Sequence, residues 1–334
     1  MNDLIKKYWF VGLVTIIFII MIPVAIVNNN SPHIVETKKI DNKYALFSIG
    51  DSNYLADDLY KLAGEDYEMK LALVQLERLA IDQVYSASQD EKDNAKLSAQ
   101  QILTNYRAQY GQEIADAQLI NQLTQYGYQT NSSNLLDNLN NYILTAQLIN
   151  KNLHEYIDSN NELITKWQTE NKPRIVAHII INTNLEENKD EKMVQSKKDK
   201  VDKLLKEQDF SEVAKVMSED GSKSSGGLLG EITTTKSALV EPFLSEALKL
   251  KDGEVSDWVK TEFGYHKIKV ITTKLEDLKK EEKFYESITS AYPSVGNQAI
   301  WKLIEKANVD FSQNPTLGEK IKKFYTESNT GGAK

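Results

Sequence analysis

Ile175-Val176-Ala177-His178-Ile179-Ile180-Ile181 opens the stretch around which this chain is organised. It continues through Ser218-Glu219-Asp220-Gly221-Ser222-Lys223-Ser224-Ser225-Gly226-Gly227-Leu228-Leu229-Gly230 and closes in Phe263-Gly264-Tyr265-His266-Lys267-Ile268-Lys269-Val270. The protein has only four histidines, and two of them sit here, each inside an apolar, β-like run. Pro173 marks where the stretch begins, because the residue before a proline is biased out of helix. After it the pattern predicts a strand over 175–181, a charged loop, helices near 191–207 and 212–217, and a short β run at 231–233. A helix opening at Pro242 follows, then two strands within 255–273 that turn at Glu262-Phe263-Gly264. The order β-α-α-β-α-β-β over a hundred residues is that of a compact α+β domain.

Working outward, the segment before it is helical with few breaks from residue 54 to 170. Met69, Leu73, Leu76, Ala80 and Val84 recur at three- and four-residue steps, as do Leu136, Leu139, Ile143 and Ala146, with Ser132 or Ser133 placed to cap the second helix. Helices resume at Leu275. Two short strand candidates, 44–49 and Val309-Asp310-Phe311, lack partners in their own segments. An isolated strand is not stable, so the two are expected to pair, folding the tail onto the amino-terminal helices. Residues 8–27 carry no charge, follow Lys6-Lys7 and contain Tyr8 and Trp9 at one end. An uncharged apolar run of that length matches a helix crossing roughly 30 Å of hydrocarbon, and the lysines favour a cytoplasmic amino terminus. Polar residues 28–43 read as a tether.

The net charge is −8, which leaves no basic footprint for nucleic acid. There is no cysteine, which excludes disulfides, zinc–thiolate sites, thiol catalysis and a lipidated cysteine. Gly226-Gly227 with Gly230 lacks the Gly-Lys-Ser/Thr ending of a phosphate loop. His33 and His154 read as surface residues, and nothing has metal-ligand spacing.

The ordered set V-A-H-I-I, D-F-S-E-V-A, M-S-E-D-x-S-x-x-x-G-G-x-L-G, P-F-x-x-A-L and K-T-E-F-G-Y-H-x-I-K-V resembles the parvulin-type prolyl isomerases over residues 174–273. The flanking helices with a single amino-terminal span resemble the layout of the exported parvulin foldases of the PrsA, SurA and PpiD type. The resemblance implies an α+β fold: an antiparallel-sheet isomerase domain at 173–275, inserted in a mostly helical, chaperone-like domain built from 44–172 and 276–326. An anchor at 1–27, the tether at 28–43 and a disordered tail at 327–334 complete it. It also implies that His178 and His266 face each other on adjacent strands and shape the site without ionising. Asp220 falls where the family places a cysteine or aspartate beside the substrate carbonyl. Ser218 and Ser222 add hydroxyls, and Leu229, Leu239, Phe243 and Phe263 line a proline pocket. No cofactor or metal is implied. Leu228, where an aspartate is common, and Trp258, where a proline is frequent, depart from the pattern.

Two functions compete on this reading. The first is a peptidyl-prolyl cis-trans isomerase and foldase acting on unfolded exported polypeptides with Xaa-Pro bonds, tethered to the membrane and compatible with a homodimer. The second is a membrane-anchored holdase whose parvulin domain is inert. The chemistry of the first needs neither nucleophile nor cofactor. The amide barrier of roughly 18–20 kcal/mol falls if the twisted state is bound in preference to the planar one.

Overall fold

The structure is a computed structural model and describes residues 38–40, 43–49, 52–55, 65–234 and 239–327. The expected span over 8–27, most of the tether and the tail beyond 327 lie outside these residues. Among the described residues no helix is long and apolar enough to cross a membrane. The chain divides into two compact units, one drawn from both ends (to Leu153 and from Gly296) and one formed by His154–Val295.

In the first unit, β1 (Lys38–Ile40), β2 (Lys43–Ile49) and β3 (Ser52–Leu55) form an antiparallel meander, with Ala45 opposite Lys38 on one side and Leu55 on the other. The partners of β2 are therefore its immediate neighbours in sequence: β1 lies inside the segment read as a tether, and β3 runs across residue 54, where the helical segment was expected to begin. Val309-Asp310-Phe311 is not a strand and does not pair with β2. Val309 and Phe311 pack as half-buried side chains against the second helical core instead, so this short apolar run is buried without being a strand.

The helices of this unit are α1 (Glu65–Val84), α2 (Gln89–Tyr110), α3 (Gln112–Gln125) and α4 (Leu135–Ser159), joined from the far end by α11 (Ser294–Lys306) and α12 (Pro315–Glu327). A capping box starts α2: Ser88 Oγ accepts from Glu91 N at 3.2 Å, and Ser88 N donates to Glu91 Oε2 at 2.7 Å. Gly111, at φ 80°, ends α2 and opens α3. Ser133 does not follow the expectation of a cap, since its hydroxyl donates to Asn131 Oδ1. One core joins Ala99, Ile102 and Tyr106 of α2 with Leu119 of α3 and Leu139 and Ile143 of α4. A second joins Leu73, Ala80 and Ile81 of α1 and Leu148 of α4 with Leu303 and Ile304 of α11 and Ile321 and Tyr325 of α12. The stripe expected on α1 is thus the face that receives the tail. Leu303 is fully buried, so Leu303→Ala is expected to cost about 3 kcal/mol, read as a fall in the urea midpoint. A loss under about 1 kcal/mol would show that this packing contributes little.

The second unit begins in the last turns of α4 and adds α5 (Asn161–Asn171) before its sheet. In chain order it then has β4 (Arg174–Asn182), α6 (Glu191–Leu204), α7 (Phe210–Met217), β5 (Leu228–Ile232), α8 (Glu241–Lys249), β6 (Val259–Thr261), β7 (Gly264–Thr272), α9 (Leu275–Leu278) and α10 (Phe284–Ala291). The sheet runs β5-β4-β7-β6, antiparallel throughout. Central β4 is covered on both faces, which is why its sequence is a continuous apolar run, whereas β7 alternates buried and half-exposed residues. Val176, Ile268 and Val270 meet Phe243 and Ala247 of α8 on one face. On the other, Ala177 and Ile179 meet Val201 of α6 and Phe210, Val213 and Ala214 of α7. Gly264, at φ 140°, starts β7 so close to β4 that a Cβ there would lie 2.1 Å from the Ile181 carbonyl oxygen. The ring of Trp167 in α5 stands edge-on to that of Phe284 in α10 at 5.4 Å, so helices on both sides of the sheet segment belong to this unit.

Candidate active site

Register places the two histidines. His178 lies opposite Ile268 and Ile180 opposite His266, so the imidazoles are diagonal neighbours on one face of the β4–β7 pair. Their rings are nearly parallel, 5.3 Å apart, and Nδ1 faces Nδ1 at 3.1 Å. Phe243 stands edge-on to both, at 5.6 Å from His178 and 5.3 Å from His266. His178 Nε2 reaches Asp220 Oδ2 at 2.9 Å, and Asp220 Oδ1 accepts from Ser218 Oγ and Ser222 Oγ, each at 2.8 Å. At the other end His266 Nε2 meets Thr261 Oγ1 at 2.8 Å, and Thr261 Oγ1 accepts from the Phe263 amide at 3.1 Å.

These contacts assign a polarity. A carboxylate only accepts, so His178 Nε2 carries a proton and donates to Asp220. For a pair that shapes the site without ionising, as the resemblance implies, His178 Nδ1 then accepts from His266 Nδ1, and His266 Nε2 accepts from the Thr261 hydroxyl. One unbroken line of donors runs from the β6–β7 turn to Asp220. Burial, with His178 alongside, pushes His266 down to about 4 against the opposing pull of Asp220, so this ring is neutral at physiological pH. Burial tends to raise Asp220, but hydrogen bonds from Ser218, His178 and Ser222 outweigh it and hold the carboxyl below its ordinary range. The two imidazoles are buried, while 27% of the Asp220 side chain is exposed. The line therefore delivers its polarity to the one ionised member that solvent and a ligand can reach.

The backbone that carries Asp220 is fixed from two sides. Glu219 N donates to Ile180 O, and the Glu219 carboxylate accepts from Asn182 N, Asn188 Nδ2 and Lys197 Nζ at 2.8, 2.6 and 2.6 Å. Gly227, at φ 80°, accepts the His178 amide at 2.8 Å, and a Cβ at this glycine would lie 2.1 Å from the His178 carbonyl oxygen. A cleft of about 380 Å³ opens beside Asp220, with Leu185, Val216 and Met217 among its walls.

Of the residues singled out in the sequence, His178, His266, Asp220, Ser218, Ser222 and Phe243 come together. Leu229 and Leu239 pack in the apolar cluster of Phe243. Phe263, 48% exposed, reaches the network through its backbone amide. Leu228 is exposed, and Trp258 donates its indole N–H to Asp202 at 2.9 Å. Thr261 and Glu219 were missed. The hairpin register, with Thr261 opposite Gly264, is the signal that finds Thr261, since it brings this hydroxyl back toward His266. Thr261→Val keeps the side-chain shape but strips His266 Nε2 and the Phe263 amide of their partner. It is expected to cost about 1–3 kcal/mol. It should also leave two His266 tautomers in the imidazole nitrogen spectrum, and a single unchanged tautomer would refute the polarity given above.

Antiparallel sheet, flanking helices and a histidine pair linked to a carboxylate define a parvulin-like domain. Residues 178–272 match the family described as Rotamase: PPIC-type PPIASE domain, and the segment is a domain of that class. The curated relatives include the foldase protein PrsA of Clostridium botulinum (strain Loch Maree / Type A3), 38% identical over 140 residues that make up 41% of this chain and 37% of that protein. PrsA of Geobacillus kaustophilus (strain HTA426) is 39% identical over 145 residues, 42% of this chain and 47% of the relative. The chain thus matches less than half the length of these relatives. Among solved structures, PrsA from Bacillus subtilis aligns with 85% of this chain and 98% of its own, at 23% identity and a TM-score of 0.36.

Proposed function

We propose that this protein is a peptidyl-prolyl cis-trans isomerase and foldase whose site is Asp220 with the His178–His266 pair behind it. The observation that carries the reading is the donor line that ends on a partly exposed carboxylate, with Phe243 of the apolar cluster set edge-on to both imidazoles behind it. A planar amide places partial negative charge on its carbonyl oxygen, and rotation removes it. A fixed carboxylate facing that oxygen disfavours the planar form, while the apolar wall holds the proline ring, so the twisted state is bound best. The histidines never touch the amide; they position Asp220. Ser218 and Ser222 hold the carboxylate ionised and oriented. Phe263, at the exposed turn, closes the pocket from the β6–β7 side.

The domain layout proposed with this function keeps 173–275 as the isomerase segment and 44–172 with 276–326 as the helical frame, whose α5, α9 and α10 share the compact unit of the sheet. An amino-terminal anchor holds both outside the cytoplasmic membrane, where unfolded exported polypeptides containing Xaa-Pro bonds are the clients. Exchange NMR on several Xaa-Pro peptides with catalytic amounts of the full chain tests the activity. Broadening of the cis and trans proline resonances is expected. Sharp resonances for every peptide would overturn the reading in favour of a holdase.

A further inference from the structure

Arg174, the first residue of β4, is 7% exposed. Its Nη1 donates to the carbonyls of Ala247 and Leu250, both at 2.8 Å, and its Nε donates to that of Lys172 at 3.2 Å. Among the described residues no carboxylate pairs with it, and burial holds its pKa below the ordinary value. Ala247 and Leu250 belong to the end of α8, where the last carbonyls of a helix have no partner of their own. Many helices solve this with a left-handed glycine, but Leu250 is extended, at φ −67° and ψ 146°. The guanidinium takes that role and places a positive charge at the negative end of the helix dipole.

A buried cation with only carbonyl partners is a costly way to end a nine-residue helix. What α8 carries accounts for it. Phe243 and Ala247, four apart and both buried, form its inner face, and the Phe243 ring is the group set perpendicular to both imidazoles. We infer that Arg174 is a positioning residue of the site: by clamping the end of α8 to the start of β4, it sets where Phe243 meets His178 and His266. This rests on the isomerase reading for its functional meaning, but the geometry can be tested without it.

The full chain labelled at histidine Cε1 gives only four resonances to follow. The charged and polar groups facing His266 are His178, Asp220 and Thr261, and none of them is altered by a change at Arg174. In Arg174→Met the released α8 lets water reach the rings, so the His266 midpoint is expected to rise by about one pH unit. On the same preparation kcat/KM falls by roughly tenfold. Arg174→Lys, which keeps the charge but offers a point donor instead of a fork, falls between the two and decides the matter if the methionine variant does not fold. Val201→Ala, in the cluster on the opposite face of the sheet, supplies a matched loss of stability. An unchanged His266 midpoint in both Arg174 variants, or an equal rise in Val201→Ala, would overturn the inference. A wild type inactive on every peptide would instead overturn the isomerase reading and leave the histidine result standing.

Discussion

Asp220→Asn is expected to lower kcat/KM for cis-trans exchange by about a hundredfold while the fold is retained. The carboxamide fills the same space, so the Ser218 and Ser222 hydroxyls keep one oxygen to bond. Two things change. The negative charge that disfavours the planar amide is gone, and the His178 Nε2–H must share the acceptor or face an N–H. The second change propagates, because the orientation of His178 fixes that of His266 and Thr261. Activity should be read in a coupled exchange assay, with the histidine nitrogen spectrum recorded on the same sample. Near-wild-type activity with a rearranged histidine pair would mean that charge at Asp220 is dispensable. A large loss with an unchanged pair would place the whole effect on the charge.

Acid is expected to weaken the His154–Val295 unit before it protonates ordinary carboxylates. His266 titrates at about 4 in the fold against 6.5 for a free side chain, so between these values the unfolded chain binds a proton that the folded one refuses. Stability from this residue is present above pH 6.5 and is lost as pH falls toward 4, an effect on the order of 3 kcal/mol. Asp220, held below its ordinary value, adds its own loss at still lower pH. Glu231, whose carboxyl burial raises, works in the opposite direction within the same unit. The informative quantity is therefore the difference in melting temperature between wild type and His266→Gln across pH 7 to 4.5. The wild type should lose more, and parallel curves would show that the histidine is not held neutral by the fold.

Much of this unit was legible in the chain because its elements are buried in distinct ways. β4 reads as a strand since both its faces are covered, and α8 announces itself by a proline at its start and Phe243 and Ala247 four apart. The histidine pair was legible only as part of an ordered set of motifs; either run alone fits a core histidine. What stayed hidden depends on register or on contacts distant in sequence. Thr261 meets His266 only once the hairpin closes, and Glu219 finds Asn182 across 37 residues. Nothing in the sequence singles out Arg174, because the helix-end carbonyls that it holds lie more than 70 positions away. At the other end of the chain, β2 pairs with its sequence neighbours and not with Val309–Phe311, and the Lys38-Lys39 and Ser52-Asn53 pairs give those neighbours no apolar strand pattern. β1 and β3 are polar, and they are the partners.

The two glycines packed on β4 have a bearing on how reliably the chain folds. A slip of one residue along β4 would turn His178 away from Phe243 and offer Ala177 or Ile179 in its place. Apolar burial alone opposes such an error weakly, because the strand is apolar on both faces. Gly227 fits against the carbonyl of His178 and Gly264 against that of Ile181, each with no room for a side chain. Together they act as a two-point alignment key: every slipped register presents a neighbour bearing a Cβ to at least one of these contacts. The register that the site needs is thereby favoured by backbone shape as well as by its polar contacts.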